Sequence, residues 1–234
     1  MGVGSIITIG NFDGVHEGHR AIVRAARELA DERSARVVAV TFDPPPVAVL
    51  KPGLVPPQVA SLADRRRWLI DAGADEVVVL SPDPELLGLS AEQFIAKLVE
   101  EHQAVGFVEG EDFCFGKGRS GDMAALSAMG ERSGFAVRAL GRVEVKLSDQ
   151  SVAPVSSSLV RWLVGRGRVE DAGACLGRAW ELTAQVEKGE QRGRTIGIPT
   201  ANLAPAGYAG MIVPMDGVYA GSAVLPDGSE VAAA

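Results

Sequence analysis

A glycine-rich turn between a short apolar strand and a helix constrains this chain more than any other stretch. Ser5–Ile9 is rich in β-branched residues and is bounded by glycine, which predicts a buried strand. Beyond the turn, apolar residues recur at helical spacing from Ile22 to Ala30, so a helix is expected to begin near Gly18. The segment therefore reads as a strand, a tight turn and a helix N-terminus.

The turn carries residues that suit a phosphate group. Gly10, Gly14 and Gly18 allow a ligand to approach the backbone closely, and the free N–H groups at a helix start attract anions. His16 and His19 are two of the three histidines in the chain, and their spacing lets both rings face one ligand. The alternative is a glycine turn with two surface histidines. Because histidines, glycines and the strand-to-helix context coincide, a binding site is favoured.

Length and charge restrict the class of protein. The 234 residues allow one large domain or two smaller ones, and a net charge of −7 argues against non-specific binding to nucleic acid. No stretch approaches the roughly 18 apolar residues of a membrane-spanning helix. Cys114 and Cys175 are the only cysteines, so reduced thiols in the cytoplasm are expected. We expect small-molecule substrates, no membrane or nucleic-acid partner, and leave a homo-oligomer open.

Strands and helices alternate along the first two-thirds of the chain. Buried strands are predicted at 36–42, 76–80 and 104–108, with amphipathic helices between them. This alternation implies right-handed crossovers and a parallel sheet, in which ligands bind beyond the carboxyl ends of the strands.

Local sequence patterns give four further expectations. The proline-rich residues 47–60 predict a loop, and the arginines at 65–67 predict a solvated helix face. Segments 135–140 and 143–147 are predicted to complete the sheet. A helix after Pro154 should place Leu159, Trp162 and Leu163 inward.

The ten residues Gly10-Asn-Phe-Asp-Gly-Val-His-Glu-Gly-His19 contain the His-x-Gly-His signature of the nucleotidyltransferase superfamily. The string is similar to the adenylyltransferase half of prokaryotic bifunctional riboflavin kinase/FAD synthetases. The resemblance implies a Rossmann-like, doubly wound parallel sheet and transfer of AMP from ATP to FMN, which gives FAD and pyrophosphate. It implies that His16 and His19 are catalytic and stabilise charge on the α- and β-phosphates. The residues that it implies for ATP binding in this turn are Gly10, Asn11, Phe12, Asp13, Gly14 and Gly18.

A second motif supports the flavin substrate. Residues 110–121 resemble the family's Gly-x-Asp-Phe-x-Phe-Gly-x-x-Arg-x-Gly loop. The residues that this resemblance places against flavin are Asp112, Phe113, Phe115 and Arg119. Two positions depart from the family pattern, because Pro45 stands where a histidine is usual and Cys114 where a basic residue is usual.

A third motif lies about 140 residues after the first. Val155-Ser-Ser-Ser-Leu-Val-Arg161 is similar to the superfamily's Ile-Ser-Ser-Thr-x-x-Arg, although three serines before a helix also suit a simple N-cap. The resemblance implies that Ser157, Ser158 and Arg161 hold the triphosphate, with Mg²⁺ bridging its oxygens. An arginine beside hydroxyl groups is well suited to gripping phosphate.

From Trp180 the pattern changes to strands and turns. Residues 191–203 resemble the riboflavin kinase signature Gly-Arg-x-x-Gly-x-Pro-Thr-Ala-Asn-Leu, which implies that Thr200 and Asn202 hold Mg²⁺, and 216–220 resemble its next strand. We therefore expect an FMN adenylyltransferase domain at 1–178 and a partial, incomplete riboflavin kinase β-barrel at 179–234. Since the sequence stops at Ala234, kinase activity is expected only in a full-length form.

Two alternatives remain open from the residues. His-x-Gly-His enzymes also act on other phosphorylated acceptors, and Pro45 and Cys114 leave room for one. The other alternative is a non-catalytic module that binds flavin or nucleotide.

Overall fold

The computed structural model describes residues 4–189 and 200–233 and contains a five-stranded parallel sheet. Its strands lie side by side in the order β3-β2-β1-β4-β5. They are β1 (Ser5–Ile9), β2 (Arg36–Phe42), β3 (Glu76–Leu80), β4 (Ala104–Gly110) and β5 (Ala136–Leu140). The predicted Rossmann-like sheet is confirmed, and so are the strands at 36–42, 76–80 and 104–108, the last of which is two residues longer.

Helices cover both faces of this sheet. The helices of the described residues are α1 (Glu17–Arg33), α2 (Pro46–Leu50), α3 (Leu62–Asp71), α4 (Pro84–Gly88), α5 (Ala91–His102), α6 (Met123–Ser133), α7 (Ser157–Gly165) and α8 (Val169–Leu176). Helix α1 begins one residue before the predicted start. Neighbouring residues of β1 show the two layers, because Ile6 packs with α1 and α3 whereas Ile7 packs with α5 and α6. Both side chains are fully buried.

The strand order changes direction between β1 and β4, where a crevice opens. Parallel pairing between these strands runs as far as Ile7 and Phe107 and stops before the end of β1. Past that point Gly10 N–H donates to Val40 O on β2, so the chain follows the opposite neighbour. Parallel α/β sheets bind their ligands at such a point.

Three of the local predictions were wrong in part. Strand β6 (Glu144–Lys146) pairs with β7 (Val152–Pro154) in a separate antiparallel hairpin and does not join the main sheet. Trp162 is 49% exposed, and Val160 and Val164 are buried in its place. Residues 47–60 contain α2 and a 3₁₀ turn at Pro52–Leu54 before an irregular segment.

The last part of the chain contains strands and turns, as predicted, and its described strands form antiparallel pairs. Strand β8 (Val186–Glu187) pairs with β9 (Asn202–Leu203), and β10 (Gly221–Val224) pairs with β11 (Glu230–Ala233). The strand predicted at 216–220 was wrong, because β10 begins only at Gly221. Most of the kinase-like signature, 191–199, lies outside the described residues. Within the described ranges, no helix is long and apolar enough to cross a membrane.

Arg65 contradicts the expected solvated face of 65–67. Its side chain is 2% exposed and donates hydrogen bonds to the carbonyl groups of Asn11 and Phe42 at 3.0 and 3.1 Å. It also pairs with Asp43 at 3.0 Å, whereas the neighbouring Arg66 is exposed as predicted. Because these acceptors follow β1 and β2, Arg65 ties the ends of both strands together.

Replacing Arg65 with methionine tests this role. Arg65→Met removes one of the two donors to Asn11 O, the side-chain donor to Phe42 O and the partner of Asp43, so we expect about 2 to 4 kcal/mol of lost stability in urea unfolding. Arg66→Met is the matched control and should change the free energy of unfolding by no more than about 0.5 kcal/mol. Equal midpoints for the two variants would contradict the structural role of Arg65.

Candidate active site

A cleft of about 430 Å³ opens at the carboxyl ends of β1, β4 and β5. The start of α1 forms one wall and the residues after β4 form another, while residues 140–143 and 154–156 complete it. Of the predicted site residues, the cleft brings together Gly10, Phe12, His16, Gly18, His19, Asp112 and Phe113. The first and second sequence motifs therefore share one cavity.

The turn before α1 adopts a conformation that requires glycine at one point. Gly14 has φ +82°, and a Cβ atom there would lie 2.8 Å from Val59 Cγ1. Phe12 and Val15 also have positive φ angles, at 47° and 39°. Both are buried, so packing offsets their unfavourable backbone conformation. The turn is held in one tight shape that aims the following histidines at the cleft.

The two histidine rings stack against each other at the start of α1. Their centroids lie 3.6 Å apart with an angle of 17° between the ring planes, and Phe12 meets the His19 ring edge-on. His16 is the N-cap residue, because its Nδ1 accepts a hydrogen bond from His19 N–H at 3.4 Å. A Cβ atom at Gly18 would lie 3.1 Å from His16 Cε1, so glycine leaves room for the ring.

Burial keeps both imidazoles neutral near pH 7. It lowers the pKa of His16 to about 4, and the charges of Arg178 and Arg161 act in the same direction. Burial also lowers the pKa of His19 well below its ordinary value, with a smaller contribution from His16. A neutral ring whose Nδ1 accepts a hydrogen bond carries its proton on Nε2. His16 therefore has one N–H donor left for a ligand.

The carboxylate of Asp13 connects the turn to neighbouring segments through hydrogen bonds. Its carboxylate accepts hydrogen bonds from the N–H groups of Val59 and Ala60 at 2.9 and 3.1 Å. Arg161 donates to the same carboxylate at 2.7 Å and to Pro57 O at 2.8 Å. The structure thus places Asp13 and Arg161 together, where they join the histidine turn, the segment 57–60 and α7.

The three serines at the start of α7 make different contacts. Ser156 lines the cleft and caps α7 by accepting from Leu159 N–H at 3.1 Å. Ser157 donates to Asp13 O at 2.7 Å, whereas Ser158 is exposed. The N-terminus of α7 therefore reaches the cleft through Ser156, a motif residue that was not among the predicted triphosphate contacts, and Ser157 fixes the histidine turn.

The remaining residues of the predicted flavin loop are spread over different environments. Asp112 and Phe113 line the cleft, and Phe115 stacks on Phe113 at 5.2 Å while lying buried in the core. Arg119 is exposed with φ 59° and does not line the cleft. Asn11 is exposed at the turn, outside the cleft lining.

Two residues at the site were not predicted from the sequence. Arg178 donates to the carbonyls of Gly14 and Val15 at 2.6 and 3.2 Å and lies 3.4 Å from the centre of the Trp68 ring. Glu109 lies buried in the cleft wall at the end of β4. A charged residue at the end of an otherwise apolar strand is the signal that could have identified Glu109.

The described residues contain no group of three or more histidine, cysteine, aspartate or glutamate side chains placed to hold a metal ion. Thr200 and Asn202, predicted to bind Mg²⁺ in the second domain, are both exposed, and Asn202 begins β9.

A doubly wound sheet with stacked histidines of a His-x-Gly-His turn at its switch point defines a nucleotidyltransferase. The FAD synthetase family model matches residues 3–157 and the riboflavin kinase model matches residues 176–234. The chain belongs to the family of bifunctional riboflavin kinase/FMN adenylyltransferases.

Characterised relatives of that name cover most of the chain. The protein from Escherichia coli strain K12 is 33% identical over 218 residues, which are 93% of this chain and 67% of that protein. The protein from Pseudomonas fluorescens is 35% identical over 217 residues, which are 92% of this chain and 67% of that protein. A crystal structure from Streptococcus pneumoniae, described as a macrolide-efflux protein, superposes with a TM-score of 0.81 at 29% identity and covers 99% of this chain and 78% of that one.

The variant His16→Asn distinguishes the roles of the two ring nitrogen atoms of His16. Asparagine keeps an acceptor for the cap bond but cannot reach the position of Nε2, so His16→Asn should fold normally and lose about 10²–10³-fold in adenylyl transfer. His16→Ala should lose a similar factor and in addition about 1 kcal/mol of stability. The measurements are FAD formation and thermal unfolding of both variants. Native turnover in His16→Asn would show that Nε2 has no part in the reaction.

Proposed function

We propose that the cleft transfers AMP from ATP to FMN through the neutral His16–His19 pair, without a covalent enzyme intermediate. The enzyme belongs to flavin cofactor biosynthesis, and ATP and flavin are its substrates. The observation that carries the assignment of this cleft is the stacked histidine pair at the start of α1, in which His16 is buried. It lies where α/β sheets bind nucleotides.

The chemistry is an in-line displacement at phosphorus. A phosphate oxygen of FMN forms a new bond to the α-phosphorus of ATP, and the bond from that phosphorus to the bridging oxygen of pyrophosphate breaks with its electron pair. No protein nucleophile is required, so catalysis depends on positioning and on stabilising the developing negative charge. The Nε2–H of His16 and the ring of His19 supply preorganised donors at the cleft.

Helix N-termini supply much of the positive potential. The starts of α1 and α7 both border the cleft, through His16 and Ser156. Approaching phosphates favour protonation of the histidines, because a nearby negative charge raises an imidazole pKa. The pKa values of both rings are therefore expected to rise when the nucleotide binds.

Arg161 is proposed to reach the nucleotide from the α7 side. In the structure it pairs with Asp13 and Pro57 O, so its guanidinium already stands beside the histidine turn. Its fork of donors can hold Asp13 with one arm and phosphate with another. Ser157 supports the turn, and Ser158 remains a proposed phosphate contact from an exposed position.

Flavin is proposed to lie against the 110–121 loop. Asp112 and Phe113 face the cleft directly, and Phe115 supports Phe113 from the core. Arg119 would act from outside the described cleft, on the exposed side of the loop.

Magnesium is proposed to arrive with the nucleotide. Mg²⁺ commonly keeps several waters and binds through substrate phosphates with one or two carboxylates, so it needs no dedicated protein cage. This binding mode fits the described residues, which form no three-ligand cluster. Thr200 and Asn202 are proposed for the separate magnesium site of the kinase step.

We also propose a domain boundary near residue 178. Arg178 packs on Trp68 and donates to the histidine turn, which supports placing it in the first domain, and the strand pairs β8–β9 and β10–β11 lie after it. Both cysteines are free thiols, which suits a cytoplasmic enzyme. Self-association stays an untested prediction.

The proposed reaction is tested with the native chain, ATP, Mg²⁺ and FMN. Chromatography should show FAD, with one pyrophosphate released for each FAD formed. Pyrophosphate release only with another phosphorylated acceptor would assign a different substrate, and retention of FMN without any FAD would indicate a binding module. Riboflavin supplied in place of FMN tests the kinase step separately.

A further inference from the structure

Glu109 is a buried acid in the wall of an anion-binding cleft. It is 2% exposed, lies one residue before the end of β4 and lines the cleft with His16 and His19. Its Oε1 accepts a hydrogen bond from Ile9 N–H at 2.7 Å. Among the hydrogen bonds of the described residues, Oε2 makes none.

This contact replaces backbone pairing where β1 and β4 separate. The parallel register between the strands ends at Ile7 and Phe107, so Ile9 N–H has no carbonyl acceptor on β4. An unpaired buried N–H group is costly, and the Glu109 carboxyl satisfies it from the side. The next residue is Gly10, the first of the histidine turn, so the contact holds the turn at its origin.

A negatively charged carboxylate in this position would repel the phosphates of the nucleotide. Burial raises the pKa of Glu109 well above its usual range, and the Ile9 hydrogen bond only partly opposes that rise. Burial therefore favours the uncharged acid over the carboxylate. The other titratable or charged side chains lining the cleft are His16, His19, Glu111, Asp112 and Arg142, and β1 contributes none.

We propose that Glu109 is a positioning residue for adenylyl transfer, which fixes the end of β1 and the histidine turn beside the polyanionic substrate through its hydrogen bond with Ile9 N–H. This inference rests on the proposed transfer from ATP to FMN. Glu109 acts through Ile9 and the turn that follows, and its uncharged form keeps the cleft open to phosphate.

Two substitutions distinguish the effect of the Glu109 hydrogen bond from the effect of its side-chain volume. Glu109→Gln keeps a neutral acceptor for Ile9 N–H, so its kcat/KM for ATP near pH 7 should stay close to the native value. Glu109→Leu removes the acceptor and displaces the turn, so kcat/KM should fall roughly 10- to 100-fold. Glu100→Gln, on the exposed surface of α5, makes the same change of residue type away from the cleft and serves as the control.

A pH profile separates this role from a purely structural one. Native kcat/KM for ATP, followed from about pH 6 to about pH 9, should fall at the alkaline end as the Glu109 carboxylate forms. Glu109→Gln cannot ionise and should lack this fall, whereas Glu100→Gln should keep it. Thermal unfolding of each variant shows which proteins remain folded.

Each outcome decides the inference. It is supported by rescue with glutamine and loss of the alkaline fall, and the Glu109→Gln profile suffices if Glu109→Leu does not fold. It is overturned if folded Glu109→Leu has native kinetics, if glutamine impairs the enzyme as much as leucine, or if the alkaline fall persists in Glu109→Gln. A native chain that forms no FAD overturns the proposed function itself, and this inference with it.

Discussion

The separation of β1 from β4 is the constraint on which the site depends. Had the two strands paired to their ends, β4 would occupy the space beside Gly10 and leave no crevice. Because pairing stops at Ile7, the end of β1 needs other partners, and Val40 O and the Glu109 carboxyl provide them. The same opening exposes the start of α1 to a ligand.

A shift of both imidazoles towards the neutral form is the second consequence of this geometry. His16 is buried and the His19 ring contacts both His16 and Phe12, and this desolvation favours the neutral form of both rings. The sign of the pH effect follows from these lowered pKa values. Stability associated with His16 is complete above its ordinary pKa and declines as pH falls from about 6.5 towards about 4. Site preorganisation and acid sensitivity therefore have one origin.

Local patterns were sufficient to predict the sheet and the histidine turn. Apolar runs located all five strands, and the spacing of His16 and His19 predicted a shared face that the stacked rings confirm. Arg65 could not be predicted, because its burial depends on acceptors at the ends of β1 and β2 that are distant in sequence. Hairpin β6–β7 was misassigned for a related reason, since strand propensity does not specify which partner a strand chooses.

The motif residues of α7 show a different limit. The serine run correctly indicated a helix start, but sequence alone could not tell which hydroxyl faces the cleft, which holds the turn and which is exposed. Those roles depend on the rotation of α7 against Asp13. Arg178 was missed because its acceptors are carbonyls of the distant turn.

The protonation state of the histidine pair is the central claim, and ring nitrogen NMR of the ¹⁵N-labelled native chain measures it directly. Shifts at each pH, with and without ATP, report charge and tautomer for each ring. We expect His16 to be neutral with its proton on Nε2 at neutral pH, to titrate near pH 4 without ligand, and to titrate at higher pH once ATP is bound. Ordinary titration of both histidines near about pH 6.5 in the free protein, unchanged by ATP, would contradict it.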